Sequence, residues 1–183
     1  MALVREKIYT IEDIYELPDG TRAELIDGEI FMMSPPGRIH QKILNFINTE
    51  INLFIRNNGG NCEVYPAPFA VFLNNDAYNY LEPDISVICD KDKLDDKGCM
   101  GAPDWIVEIV SPGSRQRDYF TKLFKYRTAG VKEYWIVDPD KNRIMVYDFG
   151  QDDVYTYSFS DEVPVGIYGG KLKIKISKCI DNV

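Results

Sequence analysis

Between Trp105 and Asp138 the chain runs from an apolar stretch, Trp105 to Val110, through a helical pattern over 115–129, into a second apolar stretch at 133–138. Strand, helix and strand in that order form a crossover unit, which lays the second strand parallel to the first. Both stretches are rich in apolar and β-branched residues, the composition of strands covered on two faces. Glu108 breaks the first of them. An ionised carboxylate is expensive to bury unpaired, so a partner charge, a metal or a local water pocket must accompany it.

The remaining elements follow from periodicity and breakers. A short helix is expected around Thr10 to Glu16, and "AELIDGEIFMM" places Asp27 and Gly28 between two apolar runs as a hairpin turn. Ile39, Ile43, Ile47, Ile51 and Phe54 recur at helical spacing, and Asn57 to Gly60 end that long helix. "CEVYPAPFAVFL" and "YLEPDISVICD" read as strands, and "KDKLDDKGCMGAP" as a charged loop. After Gly130 stops the helix, strands are expected at "VKEYWIVD", "RIMVYDF" and "DVYTYSF", with "KLKIKIS" as a half-exposed edge strand. The fold class is α/β (α+β), and a single domain is expected over 1–183, a length that buries a sizeable core.

The net charge of −8 argues against a broad nucleic-acid surface, which needs clustered Lys and Arg. Arg115, Arg117, Lys122, Lys125 and Arg127 form the one local basic cluster. Arg115 and Arg117 read as a solvated helix start, with phosphate contact as the alternative. Cys62, Cys89, Cys99 and Cys179 lack metal-ligand spacing and the sole histidine is His40, so reduced thiols in a cytoplasmic protein are expected. No segment approaches a membrane span.

Asp84 opens the strand "DISVI" after Pro83, and acids on two neighbouring strands can converge. Two carboxylates with a backbone carbonyl are oxygen ligands that Mg²⁺ accepts, an arrangement suited to holding a phosphodiester and activating water. Asp104 is a poorer partner: residues 104 and 108 of one strand stand about 13 Å apart. A cation for the same site comes from the following helix, where Lys122 flanks the inward stripe of Tyr119, Leu123 and Tyr126 and Lys125 is expected to face solvent.

"EPDISVI" followed by "APDWIVEIVSPGSRQRDYFTKLFKYRTAGVKEYWIVDP" resembles the Uma2 family of restriction-endonuclease-like domains, within the PD-(D/E)XK nuclease superfamily. The resemblance reaches back to "AELIDGEIFMMSPPGRIH". It implies a mixed central sheet flanked by helices with an N-terminal β-hairpin, and a Mg²⁺-dependent (or Mn²⁺-dependent) endonuclease acting on nucleic acid, DNA in the first instance. The superfamily Lys two residues after the acid is here Val110, and the resemblance implies that Lys122 takes its place. It also implies metal ligation by Asp84, Glu108 and the Ile109 carbonyl, an added acid at Glu24, a phosphate or water contact at His40, and a homodimer that cuts two strands. The alternative is a non-catalytic binding or oligomerisation module that keeps the fold.

Overall fold

Each turn of the chain is marked by a residue that can make it. In this computed structural model, which describes residues 7–180, the ends of the expected 1–183 domain lie outside the described residues. Asp13 accepts the Thr10 backbone N–H at 2.7 Å and starts helix α1 (Ile11–Tyr15). Strands β1 (Ala23–Ile26) and β2 (Glu29–Met32) form the expected hairpin; Asp27 and Gly28 both take positive φ, 51° and 79°. That two-residue turn matches the twist of the flanking strands. Helix α2 (Arg38–Asn58) buries Ile43, Leu44, Ile47 and Ile51 and ends at Gly59 in the left-handed conformation.

The chain continues through β3 (Glu63–Pro66), β4 (Val71–Phe72), β5 (Ile85–Ile88), β6 (Leu94–Asp95), β7 (Gly98–Met100) and β8 (Trp105–Ile109). Helix α3 (Lys122–Ala129) leads to β9 (Glu133–Asp138), β10 (Arg143–Asp148), β11 (Asp153–Ser158), β12 (Val163–Pro164) and β13 (Lys173–Ile174). Six strands make the central sheet in the order β11-β10-β9-β8-β5-β3. β8 and β9 are parallel, as the crossover requires, and the other neighbours are antiparallel. The fold is therefore a mixed sheet flanked by helices, with the hairpin at its N-terminal end.

Strand alternation divides β8 between two cores. Trp105, Val107 and Ile109 pack with Trp135, Val137 and the apolar stripe of α2. Ile106 and Val110 pack on the opposite face with Ile136, Tyr134 and Tyr126 of α3. Glu108 belongs by alternation to the α3 face, so its carboxylate enters the second core.

Four expectations need correction. The helix expected over 115–129 does start at Arg115, but it is interrupted by a wide π turn at Arg117–Thr121, in which the Lys122 N–H donates to the Arg117 carbonyl five residues back; regular α-helix resumes at Lys122. The charged loop at 91–103 contains β6 and β7, which join β4 in a small three-stranded sheet. "KLKIKIS" keeps its alternating burial, but only Lys173 and Ile174 pair, with β12, before the chain curls at Ile176–Lys178. Cys62 and Cys89, expected as reduced thiols, form a disulfide. Glu63 lies opposite Ile88 in the β3–β5 ladder, and one more step of that register sets the two cysteines face to face. No spacing motif records a bridge made by register.

Candidate active site

The β5–β8 ladder brings the two expected acids together. Ile85 lies opposite Val107, so the same antiparallel register continued by one residue puts Asp84 opposite Glu108. Opposed residues of such a pair share a face. Asp84 is fixed from two sides: its Oδ2 accepts the Ile109 N–H at 2.7 Å and lies 3.1 Å from His40 Nε2, delivered by the first turn of α2.

Lys122 enters from α3. Its Nζ is 2.8 Å from Glu108 Oε1, 2.9 Å from Glu24 Oε1 and 3.8 Å from Asp118 Oδ1, and its side chain is 4% exposed. Tyr126, one turn further along α3, donates its hydroxyl to the same Glu108 oxygen at 2.7 Å. Glu24 reaches this point because β1 bonds through Leu25 to Tyr80, which sets the Glu82 N–H 3.1 Å from Glu24 Oε1. The structure thus gathers all five expected side chains, Glu24, His40, Asp84, Glu108 and Lys122, around one cavity of about 360 Å³.

Asp118 also lines that cavity, and residue patterning missed it. It is 1% exposed, its Oδ2 accepts from Ser114 Oγ at 2.6 Å, and its Oδ1 is buried without a hydrogen-bond partner. Its spacing of four residues before Lys122 was the available signal. An acid at a helix start ordinarily serves the helix dipole in solvent, which concealed it.

Asp104 is held elsewhere, by the Cys89 N–H at 2.7 Å and Lys132 Nζ at 2.6 Å. The basic cluster dissolves into ion pairs. Arg115 binds Asp138 and Asp140, Arg127 binds Asp152, and Lys125 binds Asp27 at the hairpin turn instead of facing solvent. Only Arg117 and Lys122 of the five line the cavity.

Charge in the cavity is unbalanced. Burial pushes the Glu108 carboxyl well above its usual range; Lys122 counters this, and Asp118, Asp84 and Glu24 add to it. Asp118 is pushed up to about 6, again first by burial. Burial opposes the charge on Lys122, but Glu108, Glu24 and Asp118 outweigh it and hold the ammonium charged. Burial likewise opposes charge on His40, and the bond to Asp84, that carboxylate's field and the Ile109 backbone raise its pKa nonetheless.

Four carboxylates thus converge where one ammonium is fully enclosed. This oxygen-rich donor set, with an orphaned carboxylate oxygen at Asp118, is of the chemical type that a hard divalent cation takes. Among the described residues, no three His, Cys, Asp or Glu side chains are clustered closely enough to hold an ion in this arrangement. The Lys122 ammonium lies between Glu24 and Glu108 instead.

The family profile of Uma2, described as "Putative restriction endonuclease", matches residues 11–165, which include every residue of this site. The chain belongs to the Uma2 family. This Uma2 chain is 26% identical over 151 residues to an uncharacterised protein of Synechocystis sp., covering 80% of this chain and 77% of that protein. It also shares its fold with the crystal structure of "a putative nuclease belonging to DUF820 from Anabaena variabilis", with a TM-score of 0.75, 22% identity, and coverage of 93% of this chain and 96% of that one. Family and fold together support a nuclease-like function for this Uma2 protein.

Proposed function

We propose that this protein is a metal-dependent endonuclease that hydrolyses phosphodiester bonds in nucleic acid, DNA in the first instance. The observation that carries the reading is the register of β5 and β8, which opposes Asp84 and Glu108 in a cavity that also receives a buried lysine. Asp84, Glu108 and the Ile109 carbonyl would hold Mg²⁺ or Mn²⁺. When bound, such an ion supplies charge to offset that building on the phosphoryl oxygens and acidity to an attacking water.

The protein's own groups do the rest. Lys122, kept charged by Glu24 and Glu108, orients water and stabilises negative charge as the phosphorus–oxygen bond breaks. His40 fixes the Asp84 carboxylate from the cavity wall, where its ring can contact the phosphate or a water. By analogy with the superfamily, the products carry a 5′-phosphate and a 3′-hydroxyl. A second copy of the chain would cut the opposite strand, which sedimentation of the protein with duplex DNA would test.

A non-catalytic module is favoured by one observation: Lys122 already satisfies Glu108 and Glu24, so the acids have a counterion without any metal. The two readings separate in a plasmid-nicking assay with Mg²⁺ or Mn²⁺. The nuclease reading expects nicking by the wild type and a fall of about a hundredfold or more in Asp84→Asn and Glu108→Gln, with circular dichroism unchanged. Absence of nicking in the wild type, with no ion binding by calorimetry, would establish the module instead.

A further inference from the structure

Four basic side chains line the cavity: Arg22, His40, Arg117 and Lys122. Three are committed to carboxylates. Arg22 binds Glu82 at 2.6 Å, His40 contacts Asp84 at 3.1 Å, and Lys122 is held by Glu108 and Glu24. Arg117 is different: among the described residues it makes no ion pair, although it lines a cavity with five acidic residues in its wall. Its guanidinium carbon lies 4.9 Å from the centre of the Phe31 ring on β2, and its Nε is buried with no hydrogen-bond partner. Its neighbour Arg115 is turned away onto Asp138 and Asp140, so the two arginines of "SRQRD" have separate fates.

An arginine held over an aromatic ring has its plane fixed and its charge intact, with donors still available to a ligand. A guanidinium fork suits the paired oxygens of a phosphate. The cavity otherwise repels such an anion, and Arg117 is the one cation there that need not first leave a carboxylate. The π turn contributes to this placement, because Arg117 begins the same widened turn whose end carries Lys122.

We propose that Arg117 is the substrate clamp of this site, gripping a nucleic-acid backbone phosphate beside the one that reacts, with Phe31 as the platform that orients it. This rests on the nuclease reading above. Arg117 binds substrate and takes no part in bond cleavage, so its effect falls on affinity and KM, with kcat at saturating substrate largely kept.

Fluorescence anisotropy of a short labelled duplex DNA, with Ca²⁺ replacing Mg²⁺ to prevent cleavage, measures the clamp directly across a salt series. Arg117→Gln is expected to weaken binding roughly tenfold and to reduce the slope of log K against log salt by about 0.9, the signature of one lost phosphate contact. Arg117→Lys keeps the slope and loses part of the affinity, because charge remains without the fork. Phe31→Leu weakens binding and keeps the slope. If Arg117→Gln binds with wild-type affinity and slope, or only lowers the melting temperature, Arg117 is a structural brace and the clamp is wrong. If the wild type binds no DNA while the variants fold normally, the nuclease reading itself fails, a result distinct from loss in the variant alone.

Discussion

Asp118 and Lys122 show how much rests on single side chains here. The Asp118 carboxyl is raised from 3.8 to about 6 in the folded protein. Folding therefore favours its protonated form. The associated stability is fully present below about pH 3.8 and is lost as pH rises through about 6, a swing of roughly 3 kcal/mol for a shift of this size. Asp118→Asn keeps an acceptor for Ser114 but removes the charge, so it should flatten this part of the pH profile and gain about 1–2 kcal/mol at pH 7. Urea unfolding at pH 4 and pH 7 checks this; equal pH dependence in variant and wild type would assign the titration elsewhere. Lys122→Met has the opposite sign. It leaves Glu24 and Glu108 buried without their ammonium, a loss of about 3–5 kcal/mol at neutral pH that shrinks in acid as the carboxyls take up protons. Thermal melts at both pH values would expose that shrinkage. Glu108 was legible because a charge inside an apolar strand demands an explanation; Asp118 was not, because its burial depends on a widened turn that leaves no periodic trace.

At the level of elements, strands and helices announced themselves through period and breakers, while features created by pairing did not. The hairpin was readable from Asp27-Gly28, and the crossover from the order of apolar strand, amphipathic helix and apolar strand. The β6–β7 pair was hidden because two-residue strands have no period to detect. Lys125 reads as solvent-facing because helical geometry carries no trace of Asp27, which a separate hairpin brings to it. The Cys62–Cys89 bridge belongs to the same class, and it ties the segment after α2 to the end of β5 across 27 residues. Closing a loop of that length stabilises the fold by about 3–4 kcal/mol in the chain-entropy model. Reduction, or Cys89→Ser, should lower the melting temperature accordingly. An unchanged melt after mass spectrometry has confirmed reduction would show that the bridge contributes nothing.

Across the whole molecule, the central sheet separates an α2 core, whose buried Glu133 is satisfied by Trp135 and the Gly166 and Ile167 N–H groups, from an α3 core that gathers several charges at one end. The sequence revealed the sheet's mixed character and the identity of its two acids, but not how completely one lysine is enclosed by them. A molecule with this internal surplus of carboxylates should be stabilised by a divalent cation that binds only the folded state. Stabilisation amounts to about 2.7 kcal/mol when the free ion is a hundred times its Kd. Differential scanning calorimetry with Mg²⁺ and Mn²⁺ should show a rise in melting temperature for the wild type and none for Asp84→Asn; an equal rise in both would move the ion to another place. The two acids are 24 residues apart in sequence, yet they are juxtaposed by the ladder between β5 and β8, and the chain between them leaves the central sheet to place β6 and β7 in the small sheet with β4. Insertions or deletions in that connection leave the acids opposed as long as the ladder holds. A single-residue slip of β5 against β8 instead sends one acid to the opposite face. For proteins built on this plan, the quantity to align is strand register, and the length of the intervening segment is free to drift.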